Sequence, residues 1–208
     1  MAFSNQKLNL MNLKLLFCMM QHRHQIPQAG ELLLSEPFLQ DENFSRAVIL
    51  VCEHEDKIGS VGFVMNKPSI LNLGDLVAEL DFLKAEVFVG GPVEQNTLHF
   101  IYFGVQLMEE SKSLGNDVWW GGDFSDLIQH INSGELDLNQ VRFFMGYSGW
   151  SSGQLAAELS AQSWIVYSDP WSQELFDNSP DQLWRSLMKS KGGDFEIQSN
   201  YPIDPRLN

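Results

Sequence analysis

The run most suggestive of chemistry is Gly149-Trp150-Ser151-Ser152-Gly153. It fits G-x-S-x-G, the sharp strand-to-helix turn that exposes a nucleophilic serine. A serine of this kind needs a base, because an unactivated hydroxyl is a weak nucleophile. In the hydrolase fold that uses the motif the order is Ser, then Asp or Glu, then His. Here His22, His24, His54, His99 and His130 all precede Ser151. The motif therefore reads first as a glycine-rich turn feeding a helix, and hydrolysis through Ser151 or His54 is the alternative. The second cluster is Cys52-Glu53-His54-Glu55-Asp56. A histidine among carboxylates is half of a metal site. Neighbours on a strand point to opposite faces, however, so these groups do not converge on one ion. The cluster reads as a strand end, and neither a metal nor a cofactor is expected. The third is Gly90-Gly91-Pro92. Paired glycines can form an anion-binding nest, but no Lys or Arg lies between Lys84 and Lys112. The run matches neither a P-loop nor a dinucleotide fingerprint and reads as a turn.

The elements that must position these groups can be read from pattern. Short β-branched or aromatic runs bounded by Gly, Pro, Asn or Asp predict strands at Leu32–Leu34, Val48–Cys52, Val61–Met65, Val87–Val89, Leu98–Tyr102, Arg142–Met145 and Trp164–Tyr167. Asn72 caps a helix burying Leu73, Leu76, Val77 and Leu80. Asp123 caps one burying Phe124, Leu127, Ile128 and Ile131, stopped by Gly134. Ser152 or Gly153 opens a helix with Leu155 and Leu159 on one side. Asp169-Pro170 and Ser179-Pro180 each put a cap residue before a Pro at the first helical position, the second leading into Leu183, Trp184, Leu187 and Met188. Trp119 and Trp120 stand on opposite faces of a strand. Strict strand–helix alternation is absent, so the class is α+β: one mixed, mostly antiparallel sheet partly covered by helices.

Composition bounds the rest. With 208 residues and 44% hydrophobic side chains, the chain carries enough apolar material for one domain that buries roughly 70% of its unfolded surface. The net charge is −14, with 13 Lys+Arg against 27 Asp+Glu. Residues 1–28 hold Lys7, Lys14 and Arg23 and no acid, so the remainder is more acidic still. Such a body repels the phosphate backbone and anionic membrane surfaces, which disfavours direct nucleic-acid binding and membrane association. Cys18 and Cys52 make neither a disulfide framework nor a zinc site, as in a reducing, cytoplasmic compartment. The apolar run Leu15–Met20 is far short of the ~20 residues that span a bilayer. Residues 1–28 are expected to be a loose leader, or to lie upstream of the true start, with Met11, Met19 and Met20 as alternative initiators. Residues 29–208 are expected to form the domain.

Three ordered motifs carry a family resemblance. Gly30-x-Leu32-Leu33-x-Ser35-x-Pro37-x-x-x-Asp41-x-x-Phe44-x-Arg46-x-Val48, then Glu53-His54, Gly59, Gly62 and Asn66-Lys67-Pro68, is similar to the opening of the AlgH/YqgE-like family. Gly90-Gly91-Pro92 and Gly146-Tyr147-x-x-Trp150-x-x-Gly153-Gln154-Leu155-x-x-Glu158 resemble its later motifs. The closing Asn200-Tyr201-Pro202-x-Asp204-Pro205 resembles its Bacteroidetes members. The resemblance runs from about residue 29 to the end. It implies a bifurcated α+β sheet curled into a pseudo-barrel, and a bacterial protein linked to regulation of alginate, an exopolysaccharide, with no established DNA-binding element and no established catalytic set. It also implies that the positions of Ser151 and Ser152 vary. From the residues themselves, Gly90, Gly91, Gly146 and Gly153 are expected where a side chain would clash or φ is positive. Arg46 and Glu53 are a candidate strand-end ion pair. Glu53, His54, Asn66, Tyr147, Trp150 and Gln154 are the candidate surface for a ligand or partner. The leading expectation is a non-catalytic binding or regulatory module acting on a protein or small molecule.

Overall fold

The computed structural model describes residues 26–202 except 81, 170, 172, 173 and 178. The leader thus lies almost wholly outside the described residues, as do Pro170 and Asp204.

The run Val48–Cys52 is buried at every position rather than alternately. A strand that reads this way is covered on both faces, and strand β2 (Val48–Glu55) is. Its odd partners Ile49 and Val51 pack with Val64, Leu155, Leu159 and Trp164. Leu50 and Cys52 pack with Phe63, Phe144, Leu183, Trp184 and Leu187. Around β2 the sheet runs β10 (Trp164–Tyr167), β1 (Leu32–Ser35), β2, β3 (Gly59–Val64), β9 (Val141–Ser151), β6 (Val93–Phe103), β8 (Val118–Trp120) and β7 (Lys112–Ser113). Every neighbouring pair on this path is antiparallel. Beside it β5 (Glu86–Val89) runs parallel to β9 and antiparallel to β4 (Pro68–Asn72). The result is a mixed, mostly antiparallel sheet flanked by helices, as the strand and helix patterns predict. The ends of the path, β10 and β7, are not paired with each other, so the pairing is that of an open sheet, not a closed barrel.

The sheet forks along β9. Its first half, Phe143–Met145, pairs with β5, and its second half, Ser148–Ser151, pairs with β3, while β6 stays on its other side. At the fork two segments cross backbone to backbone. A Cβ on Gly91 would lie 2.3 Å from the Tyr147 carbonyl, and one on Gly146 would lie 2.6 Å from the Val93 carbonyl. Gly146 also has φ +67°, a left-handed value. The paired glycine motifs are the two sides of one crossing, and the buried Ser148 Oγ donates to the Gly90 carbonyl across it (3.0 Å).

Helices cover the faces left apolar. Asp123 caps α2 (Phe124–Ser133) through Ser125 and Asp126 N–H, and Gly134 ends it in the left-handed conformation. Its apolar face packs on Phe100, Tyr102 and Phe143. Helix α3 (Gln154–Ser160) covers the outer face of β2, and α5 (Pro180–Lys191) covers the central core between the two branches. Among the helices two depart from expectation. The helix after Asn72 is one turn, α1 (Leu73–Leu76), followed by a 3-10 turn. After Asp169 the described residues form helix α4 (Glu174–Asp177). A final helix α6 (Asp194–Gln198) had no strong apolar period to announce it. Trp119 and Trp120 do face opposite ways, toward the α2 core and the central core.

Buried Arg142 ties α4 to the sheet. Its guanidinium donates to the carbonyls of Met65 (3.0 Å), Leu175 (2.6 Å) and Phe176 (3.2 Å) and lies over the Phe88 and Phe176 rings. Burial lowers its pKa to about 10, so it stays charged at neutral pH.

Candidate functional site

The decisive local feature is a β-bulge at Cys52. Val51 pairs with Gly62 but Glu53 pairs with Val61, so Cys52 is the extra residue. Directly opposed residues share a face. Glu53 therefore joins Val61 on the face of Phe63, and Glu55, opposite Gly59, shares it. His54, opposite Ser60, is turned to the outer face beneath α3. The bulge splits the acidic cluster between the two sides of the sheet.

On the inner face Glu53, Glu55, Ile58, Val61, Val93 and Tyr147 line a cleft of about 410 Å³, with Gly59, Ser60, Gly149 and Trp150 completing its lining. The Tyr147 ring lies beside Gly149, where an added Cβ would meet its Cε2 at 3.1 Å. Behind it His99 stacks edge-on at 5.9 Å, and His99 in turn touches Phe63 (5.3 Å). Burial pushes the His99 pKa down, with nearby Glu94 opposing, and its Nε2 shares a hydrogen bond with Thr97 Oγ1 (2.9 Å). Glu53 is paired not with Arg46 but with Lys112, whose Nζ is 3.2 Å from both carboxylate oxygens and 5.1 Å from the Trp120 ring.

On the outer face His54 Nδ1 is 2.7 Å from Ser60 Oγ and its Nε2 is 3.1 Å from Asp56 Oδ1. This chain has the form of a nucleophile, base and orienting acid. It involves Ser60, not Ser151, whose Oγ bonds Gln154 Oε1 (3.2 Å). Ser60 is only 4% exposed, and the hollow beside it is about 50 Å³. A serine so deeply buried offers its hydroxyl almost no surface for a substrate to approach. Ser152 Oγ donates to the Asp56 carbonyl (2.7 Å), closing the hollow against the β2–β3 turn.

Trp150 and Gln154 belong to a different construction. The indole N–H groups of Trp150 and Trp164 both donate to Glu158 Oε2, at 2.8 and 2.7 Å, and Gln154 Nε2 donates to Glu158 Oε1 (3.0 Å). The Trp–x–x–Gly–Gln–Leu–x–x–Glu spacing is the length needed for α3 to fold back on the end of β9. Asn66 stands apart from all of these. Its Oδ1 accepts from Val48 N–H (2.8 Å) and its Nδ2 donates to the Arg46 carbonyl (2.9 Å). It thereby holds Arg46 at φ +49°, and the Arg46 guanidinium sits over Trp184, donating to the Tyr201 carbonyl.

Of the six sequence candidates, then, Glu53, Tyr147 and Trp150 line one cleft. His54 lies across the sheet, Gln154 and the Trp150 ring serve the α3 joint, and Asn66 braces a turn elsewhere. The alternation rule that separates Glu53 from His54 was available in the sequence; the bulge that decides which faces inward was not. Val61, Val93, Ile58 and Lys112 were missed because single apolar residues and one lysine give no motif. Among the described residues no group of three or more His, Cys, Asp or Glu could hold a metal, and no helix is long and apolar enough to cross a membrane.

Fold and cleft define an α+β protein built on a large forked sheet, with a small apolar cleft where the fork's second branch begins. The AlgH-like family model (DUF179) matches residues 32–196, and the chain belongs to that family. A UPF0301 protein of Cytophaga hutchinsonii is 42% identical over 180 residues, 86% of this chain and 98% of that protein. One from Parabacteroides distasonis is 35% identical over 90% of this chain and 94% of its own. Among solved structures, the AlgH protein from Pseudomonas aeruginosa superposes with TM-score 0.64 at 25% identity, over 86% of this chain and 97% of that one. A Corynebacterium diphtheriae protein superposes with TM-score 0.73 at 21% identity over 85% of this chain and 94% of that one, a likeness of fold.

Proposed function

We propose that the protein is a non-catalytic binding module that acts in the cytoplasm, its ligand or partner engaging the cleft between Glu53 and Tyr147. The observation that carries this reading is the cleft itself: about 410 Å³, within the ~300–1,000 Å³ of ordinary ligand sites, mostly apolar, and edged by two carboxylates. Two implications of the resemblance belong to the same proposal. The forked sheet curls toward a pseudo-barrel around the central core that both branches line, and the module works as a regulator, of the exopolysaccharide type, through a protein or small molecule. Direct contact with nucleic acid runs against a net charge of −14. The test is an NMR screen of small amphipathic molecules against the full chain. Shift changes clustered at Val61, Val93, Tyr147 and Gly149 support the reading, and changes scattered elsewhere reject it.

The second reading, a hydrolase using Ser151 or His54, draws on the Ser60–His54–Asp56 chain. The burial of Ser60 and the pairing of Ser151 with Gln154 weigh against it. Turnover of ester or phosphoester substrates, lost in Ser151→Ala, Ser60→Ala or His54→Gln, would replace the binding reading.

A further inference from the structure

We infer that the cleft is built for an amphipathic organic cation: an ammonium or guanidinium group on an apolar body. The inference rests on the binding reading above and assigns the chemistry of its ligand. Glu53 and Glu55 are two residues apart on one strand and share a face, which sets them ~7 Å apart along the cleft edge. Across from them the walls are Ile58, Val61, Val93 and Tyr147. Ile58 is 73% exposed, an apolar side chain held in water at the rim. A ligand with an apolar body covers that surface, and its positive end reaches the carboxylates.

The charges nearby favour a cation over an anion or a neutral molecule. Among the described residues Glu55 makes no ion pair. Glu53 has Lys112, 59% exposed and therefore weakly bound and displaceable. Lys57, at the tip of the β2–β3 turn, does not line the cleft. The site thus already holds one ammonium at its edge, and a ligand cation would take the place of the Lys112 head group while Glu55 supplies the second carboxylate. A body at −14 also raises the local concentration of cations. Among the described residues no group of three or more His, Cys, Asp or Glu stands there to hold a metal ion, and the apolar walls suit an organic body.

The experiment is a chemical-shift titration of the full chain with four probes: phenethylammonium, its neutral isostere 2-phenylethanol, the anion 3-phenylpropionate, and the peptide acetyl-Val-Lys-Val-amide. The expected result is that phenethylammonium or the peptide shifts Val61, Tyr147 and Gly149, with the neutral and anionic probes at least fivefold weaker. The tighter of the two cations identifies a free amine or a protein side chain as the source. Glu53→Gln and Glu55→Gln should each weaken binding about fivefold, the upper range of an exposed ion pair. Lys112→Gln should tighten it about twofold or more by removing the competing ammonium, an effect that a merely structural lysine would not produce. Binding should weaken between about 20 and 200 mM salt. If 2-phenylethanol or 3-phenylpropionate binds the cleft as well as the cations, the ligand class is wrong while the cleft stands. If none of the four perturbs the cleft, both are rejected.

Discussion

Replacing Glu158 by Ala should cost about 2–4 kcal/mol of folding stability, although the residue sits on a short surface helix. Its Oε2 accepts from two indole N–H groups at 2.8 and 2.7 Å, and both tryptophans are 5% exposed. An unsatisfied buried donor costs ~1–3 kcal/mol. The sum for two donors is reduced because Glu158 itself is half-buried, so water can reach part of the vacated position. Loss of the Gln154 contact at 3.0 Å adds little, since that side chain is exposed. Urea unfolding at pH 7, followed by far-UV circular dichroism, measures the loss. Glu158→Gln keeps the shape and one acceptor oxygen and should cost less than Ala. In a double-mutant cycle, Trp164→Phe with Glu158→Ala should recover a coupling of ~0.5–3 kcal/mol. A cost for Glu158→Ala below about 0.5 kcal/mol, or no coupling, would refute the joint and leave α3 held by Leu155 and Leu159 alone.

Asn66→Ala and Asn66→Asp should both destabilise by roughly 1–3 kcal/mol, because Asp keeps the acceptor for Val48 N–H but faces the Arg46 carbonyl with no donor; urea midpoints check it. Arg142→Lys should loosen α4, since one nitrogen cannot reproduce the two-nitrogen fork that reaches Met65 and Leu175 through Nη1 and Phe176 through Nη2; changes in the carbonyl-carbon shifts of Leu175 and Phe176, larger than those elsewhere, are the readout. His99 gives a pH dependence. Burial holds its folded pKa below the unfolded value, so in the window below about 6.5 the unfolded chain binds more protons and stability falls as pH falls. Urea midpoints between pH 7.5 and 5 should show this slope, and His99→Gln should flatten it.

Much of the scaffold was legible because its signals are local. The run Val48–Cys52 reads as a strand, Asp123 and Gly134 bracket α2, and Ser179-Pro180 starts α5. The longest strands were underestimated. β9 continues through Gly146 and Gly149 to Ser151, where glycines read as a turn. They are there instead because the segment Gly91–Gln95 crosses at Gly146 and a ring lies beside Gly149. The Ser151 motif looked like a nucleophile's turn because strand, serine and helix do follow in that order. What the order could not reveal is that the serine of the only such hydrogen-bonded chain among the described residues, Ser60, is buried.

Residue types and spacing by themselves determined an acidic α+β domain of this family, its apolar strands and its capped helices, since propensity, capping and burial periodicity act over a few neighbouring residues. The tertiary structure alone decided which candidates meet. One inserted residue at Cys52 reverses the facing of everything after it along β2, so Glu53 rather than His54 reaches Tyr147. Side-chain direction on a strand has a period of two, and a single bulge, set by pairing with a distant segment, changes its sign.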